Sequence, residues 1–203
     1  LCENTDIRVD LVISEPVSCL HDYSLTVGQM RTIGSADCLF LSGAGLEEFM
    51  ADALSQAKAT VDCSQNLDLL ELDGESDPHI WLAPKNAEVM AKNAADGLTA
   101  LYPQYGDTFR KNLAALIARL EDLQQYGEDA LKDLSCRELI TFHDGFAYFA
   151  GAFDLTILAS IEEESGSEAS AKSLAEISTL VESHNIPVVF MEANGSTAGA
   201  EAI

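Results

Sequence analysis

The chain has 203 residues, 34 of them Asp or Glu against 11 Lys or Arg, giving a formal charge of −23. A chain this acidic repels phosphate backbones and anionic membrane surfaces, which argues against nucleic-acid partners and lipid docking and suits a protein that attracts cations. With 47% hydrophobic residues it can bury one large core or two modest ones, and no run reaches the roughly 18 apolar residues of a membrane span.

In chain order, Arg8–Ile13 (RVDLVI) reads as a strand, Val27–Ala36 as a helix and Asp37–Ser42 (DCLFLS) as a second strand. Leu46–Ala57 reads as a helix, because Leu46, Phe49, Met50 and Leu54 share one face, and Ala59–Cys63 (ATVDC) reads as a third strand. This strand–helix alternation predicts βα units and a parallel sheet. From Pro84 to Leu134 there is no strand signal. Pro84 suits a first helical turn, and a helix is expected to run from it to Leu101. Tyr102-Pro103 interrupts the pattern, and a second helix spans Tyr105–Leu134 on the stripe Phe109, Leu113, Leu116, Leu120, Leu123. About 30 helical residues reach about 45 Å, enough to join two lobes or to lie across one sheet. Cys136–Phe142, Leu155–Ser160 and Ile186–Met191 then read as strands, with a helix over Ala169–His184. The predicted organisation is an N-terminal lobe (1–104), a bridging helix (105–134) and a C-terminal lobe (135–203). The Glu162-Glu163-Glu164 run reads as a solvated loop.

The five cysteines, Cys2, Cys19, Cys38, Cys63 and Cys136, form no CxxC pair and no disulfide pattern, and read as free or buried thiols. Ser42-Gly43-Ala44-Gly45 follows a strand, but without a third glycine or a P-loop lysine it reads as a βα turn rather than a nucleotide site. No Gly-x-Ser-x-Gly elbow is present.

Of the four histidines, His21, His79 and His143 each fall after a predicted strand, where ligands of open α/β sheets bind. Two such edges facing each other would make a cleft in which three imidazoles could meet one metal ion. Imidazole suits zinc and other transition metals, and three nitrogens leave a fourth position for a carboxylate, thiolate or water. Asp22, Asp77 and Asp144 stand near the histidines and could orient them; Cys19 could serve as a fourth ligand. Placement alone leaves the alternative of three solvated loop histidines open. His184, at the end of a predicted helix, reads as a favourable partner of the helix dipole.

His21-Asp22-Tyr23-Ser24-Leu25, Asp77-Pro78-His79-Ile80-Trp81-Leu82, Thr141-Phe142-His143-Asp144-Gly145-Phe146-Ala147-Tyr148-Phe149 and Val189-Phe190-Met191-Glu192 together resemble the zinc- and manganese-binding solute-binding proteins of bacterial ABC importers, the cluster A-I family, and its zinc branch in particular. The resemblance runs in order along essentially the whole chain. It implies an α/β fold of two lobes of parallel sheet joined by a rigid backbone helix, with the metal in the cleft between them. Carried over residue by residue, it makes His21, His79 and His143 the metal ligands. Manganese binders tend to carry Glu where this chain has His143, and three imidazoles favour zinc, so the cargo expected is Zn²⁺ rather than Mn²⁺.

By this resemblance the protein is no enzyme. It is expected to act outside the cytoplasm, in the periplasm or at the cell surface, where relatives are often lipid-anchored although Cys2 follows no recognisable lipobox, as a monomer that delivers zinc to the membrane permease of an ABC importer. Family members begin one strand and helix earlier and continue further, so the chain is expected to be a fragment, with any late acidic ligand beyond Ile203. The His-rich loop of zinc members would fall between Leu72 and Asp77; here it is Asp73-Gly74-Glu75-Ser76. Alternatives on the same residues are a zinc hydrolase with Asp144 as base, using the open fourth position to activate water, and an adhesin-like surface protein.

Overall fold

The computed structural model describes residues 1–15, 23–72, 74–162 and 170–190. Two parallel strand pairs anchor its two ends. Near the N-terminus, α1 (Val27–Ser35) leads into β1 (Leu39–Leu41), a short helix α2 (Ala51–Leu54) and β2 (Thr60–Asp62), and β1 pairs with β2 in parallel. Thr26 caps α1 through the amide of Gln29, whose side chain answers at the Thr26 amide, so two otherwise orphaned donors are satisfied together. Ile33, Leu39, Met50 and Ala53 form the core of this part.

A small antiparallel hairpin follows, β3 (Glu71–Leu72) with β4 (Glu75–Ser76). Helices α3 (Pro84–Leu101) and α4 (Gly106–Leu131) then pack on each other across a 3-10 turn at Pro103–Tyr105. Buried Ala91, Ala95 and Leu98 give α3 a close-packing face, and Gly97 lies so near Val61 of β2 that a Cβ would meet its Cγ2 at 2.6 Å.

The later part holds β5 (Glu138–His143), α5 (Ala147–Ala152), β6 (Thr156–Glu162) and α6 (Ala171–His184). β5 and β6 pair in parallel, and Ile140, Phe142, Ile161, Ile177 and Ile186 form a core between sheet and α6. Arg137 binds the two parts of this region to α4: its guanidinium donates to the carbonyls of Leu131 and Lys132 at the end of α4 and to those of Phe153 and Asp154 after α5. A cation at a helix C-terminus also meets the negative end of the helix dipole.

Four expectations need correction. Arg8–Ile13 is no strand: no ladder partner reaches it among the described residues, and Val9 and Leu11 are 67% and 76% exposed. Leu46–Ala57 is not one helix. The backbone takes positive φ at Gly43, Ala44 and Gly45, then a 3-10 turn over Glu48–Met50, leaving only Ala51–Leu54 as α-helix. Glu47 explains the break, since its carboxylate turns back to accept from the Ser42 and Gly43 amides at 2.7 and 3.1 Å. That carboxylate also fills the place an anion would take on these amides. In place of an Ile186–Met191 strand, Val189 makes a single parallel bridge to Ile140; Met191 lies outside the described residues. Finally, the α4 stripe turns with the helix. Phe109 is fully buried, but Leu123 is half exposed and its neighbour Gln124 is buried instead, donating to the Ala152 carbonyl at 3.2 Å.

Candidate metal centre

His79 is set by the sequence Asp77-Pro78-His79. Pro78 confines its own φ and keeps the residue before it extended, and a 3-10 turn over Ile80–Leu82 begins directly after His79. Asp77 is 2% exposed, and its Oδ1 accepts both from the His79 backbone amide at 3.0 Å and from the His79 ring Nδ1 at 2.8 Å. A carboxylate on Nδ1 holds the proton there and leaves Nε2 as the nitrogen with a free lone pair.

His143 comes from the opposite direction, as the last residue of β5. Its Nδ1 stands 3.1 Å from Asp144 Oδ1. The two imidazoles meet edge to face with ring centroids 4.9 Å apart, and their Nε2 atoms are separated by 3.1 Å. Two lone pairs at that distance repel unless a proton or a cation lies between them. Two imidazoles on one tetrahedral zinc, each about 2.05 Å from the ion, stand about 3.3 Å apart, close to the separation of this pair. The turn after β5 presses on both rings: a Cβ at Gly145 would fall 2.6 Å from His143 Nε2 and 2.7 Å from His79 Nε2. Burial pushes the Asp144 carboxyl above its ordinary range, while the neighbouring His143 and His79 pull it back.

His21, Asp22 and Cys19 lie outside the described residues, as do Glu163 and Glu164. Among the described residues no third His, Cys, Asp or Glu joins His79 and His143 in a group placed to hold an ion. His184 sits apart in the last turn of α6, 3.0 Å from Glu138. Two site residues carry no spacing signal. Trp81 is 41% exposed, with its ring 5.4 Å from that of His79. Tyr148 of α5 reaches the loop that carries Asp77.

The family model described as "ZnuA: Zinc-uptake complex component A periplasmic" matches residues 4–203. The chain is 28% identical over 194 residues to the zinc-binding protein TroA of Treponema pallidum, a match that covers 90% of this chain and 62% of that protein. It is likewise 28% identical over 214 residues to the high-affinity zinc uptake system protein ZnuA of Bacillus subtilis, covering 96% of this chain and 67% of that one. Among solved structures, a crystal structure of ZnuA superposes with a TM-score of 0.86 at 33% identity, over 97% of this chain and 77% of the other. A laminin-binding protein of Streptococcus agalactiae, described as a bifunctional protein with adhesin and metal transporting activity, superposes with a TM-score of 0.83 at 27% identity, over 91% and 72% of the two chains. The chain thus spans about two thirds of the length of the curated relatives named here.

Proposed function

We propose, from the premise that this chain belongs to the ZnuA family of periplasmic zinc-uptake components, that it captures Zn²⁺ on His21, His79 and His143 and delivers it to the permease of an ABC importer. The observation that carries the reading is the approach of His79 and His143 Nε2 to 3.1 Å, with the Asp77 carboxylate hydrogen-bonded to His79 Nδ1 and the Asp144 carboxylate 3.1 Å from His143 Nδ1. The family model's description supports zinc as cargo, periplasm as the place of action and a transport complex as the partner. We take the protein to act outside the cytoplasm as a monomer, with a lobe over 1–104, the bridging helix over 105–134 and a second lobe over 135–203. The packing of α4 on α3 at one end and on Phe153 and Ala152 at the other supports that division. No described helix is long and apolar enough to cross a membrane.

Capture makes and breaks no covalent bond. The donor set supplies neutral imidazoles, borderline ligands that hold zinc in preference to the harder manganese. The family is one of transport components, so the hydrolase alternative is set aside.

Competition with a chromophoric chelator tests the reading. One zinc per chain, bound in preference to Mn²⁺ and greatly weakened in His143→Ala, is the expected result. Weak binding that His143→Ala leaves unchanged would overturn it.

A further inference from the structure

We propose that Tyr148 is a positioning residue of the metal centre, its hydroxyl tying the His79 loop to the His143 strand and thereby setting the spacing of the two imidazoles. The proposal rests on the zinc reading given above. Tyr148 belongs to α5, which follows His143 after the Asp144–Phe146 turn. Tyr148 is 6% exposed and packs with Ile80, the first residue of the 3-10 turn that follows His79, and with Ala83, which ends it. Its hydroxyl accepts from the Leu70 amide at 2.8 Å and donates to the Asp77 carbonyl at 3.2 Å.

These two bonds grip both ends of one loop. Leu70 and Asp77 close the β3–β4 hairpin, the Asp77 amide donating to the Leu70 carbonyl at 2.8 Å. Tyr148 therefore holds the base of the hairpin, and the Asp77 it holds is the residue whose carboxylate orients His79. From Tyr148 the path runs through Asp77 to His79, across 3.1 Å to His143, and back along the turn to Tyr148. Residues 71 positions apart in sequence are thus closed into one ring of contacts.

Ring packing and hydroxyl chemistry are separable here. A phenyl ring fills the same space against Ile80 and Ala83, but only the hydroxyl can satisfy the partly buried Leu70 amide and the buried Asp77 carbonyl at once. Burial pushes the phenol above its usual range, so it stays protonated as a donor throughout the working pH range. If the bonds hold the imidazoles at metal-binding separation, zinc must in turn strengthen them, because coupling between two sites is reciprocal.

The test compares wild type, Tyr148→Phe and His143→Ala. It reads the rate of zinc release into excess chelator, the ligand-field spectrum of the Co²⁺-substituted protein and thermal melting without metal. Tyr148→Phe is expected to bind one zinc, release it about tenfold faster, as loss of a buried hydrogen bond or two converts, and shift the Co²⁺ bands. Release and Co²⁺ spectrum equal to wild type, with only the melting temperature lowered, would mean that Tyr148 merely packs, and would overturn the proposal. A wild type that holds no zinc, or a His143→Ala that holds it as well as wild type does, would overturn the zinc reading and this proposal with it. Should Tyr148→Phe not fold, hydrogen exchange at the Leu70 amide of the wild type decides: slower exchange with zinc supports the tie, and equal exchange with and without zinc overturns it.

Discussion

Gly127 of α4 lies against the ring of Phe153 so closely that a Cβ at position 127 would fall 2.2 Å from Phe153 Cε1. This contact seats the far end of the long helix on the region that follows α5. Only a residue without a side chain lets the ring come so near the backbone of α4. Gly127→Leu gains helix propensity of about 1 kcal/mol but forces the aromatic ring out of its place, an overpacking cost of typically 1–3 kcal/mol and more for a branched side chain. A net loss of stability of about 1 kcal/mol is expected, measured by urea unfolding.

Asp77 controls how His79 presents Nε2. Replacing such a carboxylate behind a ligating imidazole typically costs 10–100-fold in metal affinity, and Asp77→Ala is expected to weaken zinc by about that much in a chelator competition. Asp77→Asn keeps an oxygen that can still accept from Nδ1 and from the His79 amide, so its loss of affinity should be the smaller of the two.

The long periodic elements were the legible part of the fold. α3, α4 and α6 follow from apolar stripes and a proline at a first turn, and β5 and β6 from runs of branched residues. Arg8–Ile13 has the same composition as a strand, but a strand exists only where a neighbour pairs with it, and no local pattern reports that. The broken helix after β1 depends on Glu47 reaching back to two amides, a side-chain contact that hydrophobic spacing does not encode. The β3–β4 hairpin escaped because each strand has two residues, and its one local mark is Gly74 at φ +90°. In the site, placement after strands marked His79 and His143 and adjacency marked Asp77 and Asp144. The tie from Tyr148 to Asp77 spans 71 positions and left no trace in spacing.

Cys63 offers a pH test unconnected with the metal. It is 7% exposed, and burial, helped by the charges of Asp62 and Glu47, pushes its thiol up to about 11. An unfolded thiol titrates near about 8.5, so below that pH both states are protonated and the full stability is present. As pH rises from there toward 11, the unfolded chain loses its proton first and stability falls. Cys63→Ala should flatten the loss of stability over this alkaline window. In the native protein at pH 8, iodoacetamide should modify the partly exposed Cys2 and leave Cys63 unlabelled.

Trp81 is the single tryptophan of the chain, and its ring lies 5.4 Å from that of His79. A divalent charge on His79 changes the field at the indole, so zinc should alter the tryptophan emission in proportion to occupancy. His79→Ala should abolish the response, whereas substitution at the distant His184 should leave it intact.

The three-imidazole centre is tested most directly by X-ray absorption at the zinc edge of the protein loaded with one equivalent of metal. A first shell of nitrogen and oxygen at about 2.0–2.1 Å, with the multiple scattering of three imidazoles, is predicted, falling to two in His21→Ala, in His79→Ala and in His143→Ala. A sulfur shell at about 2.3 Å, or an imidazole count that none of the three substitutions lowers, would contradict it.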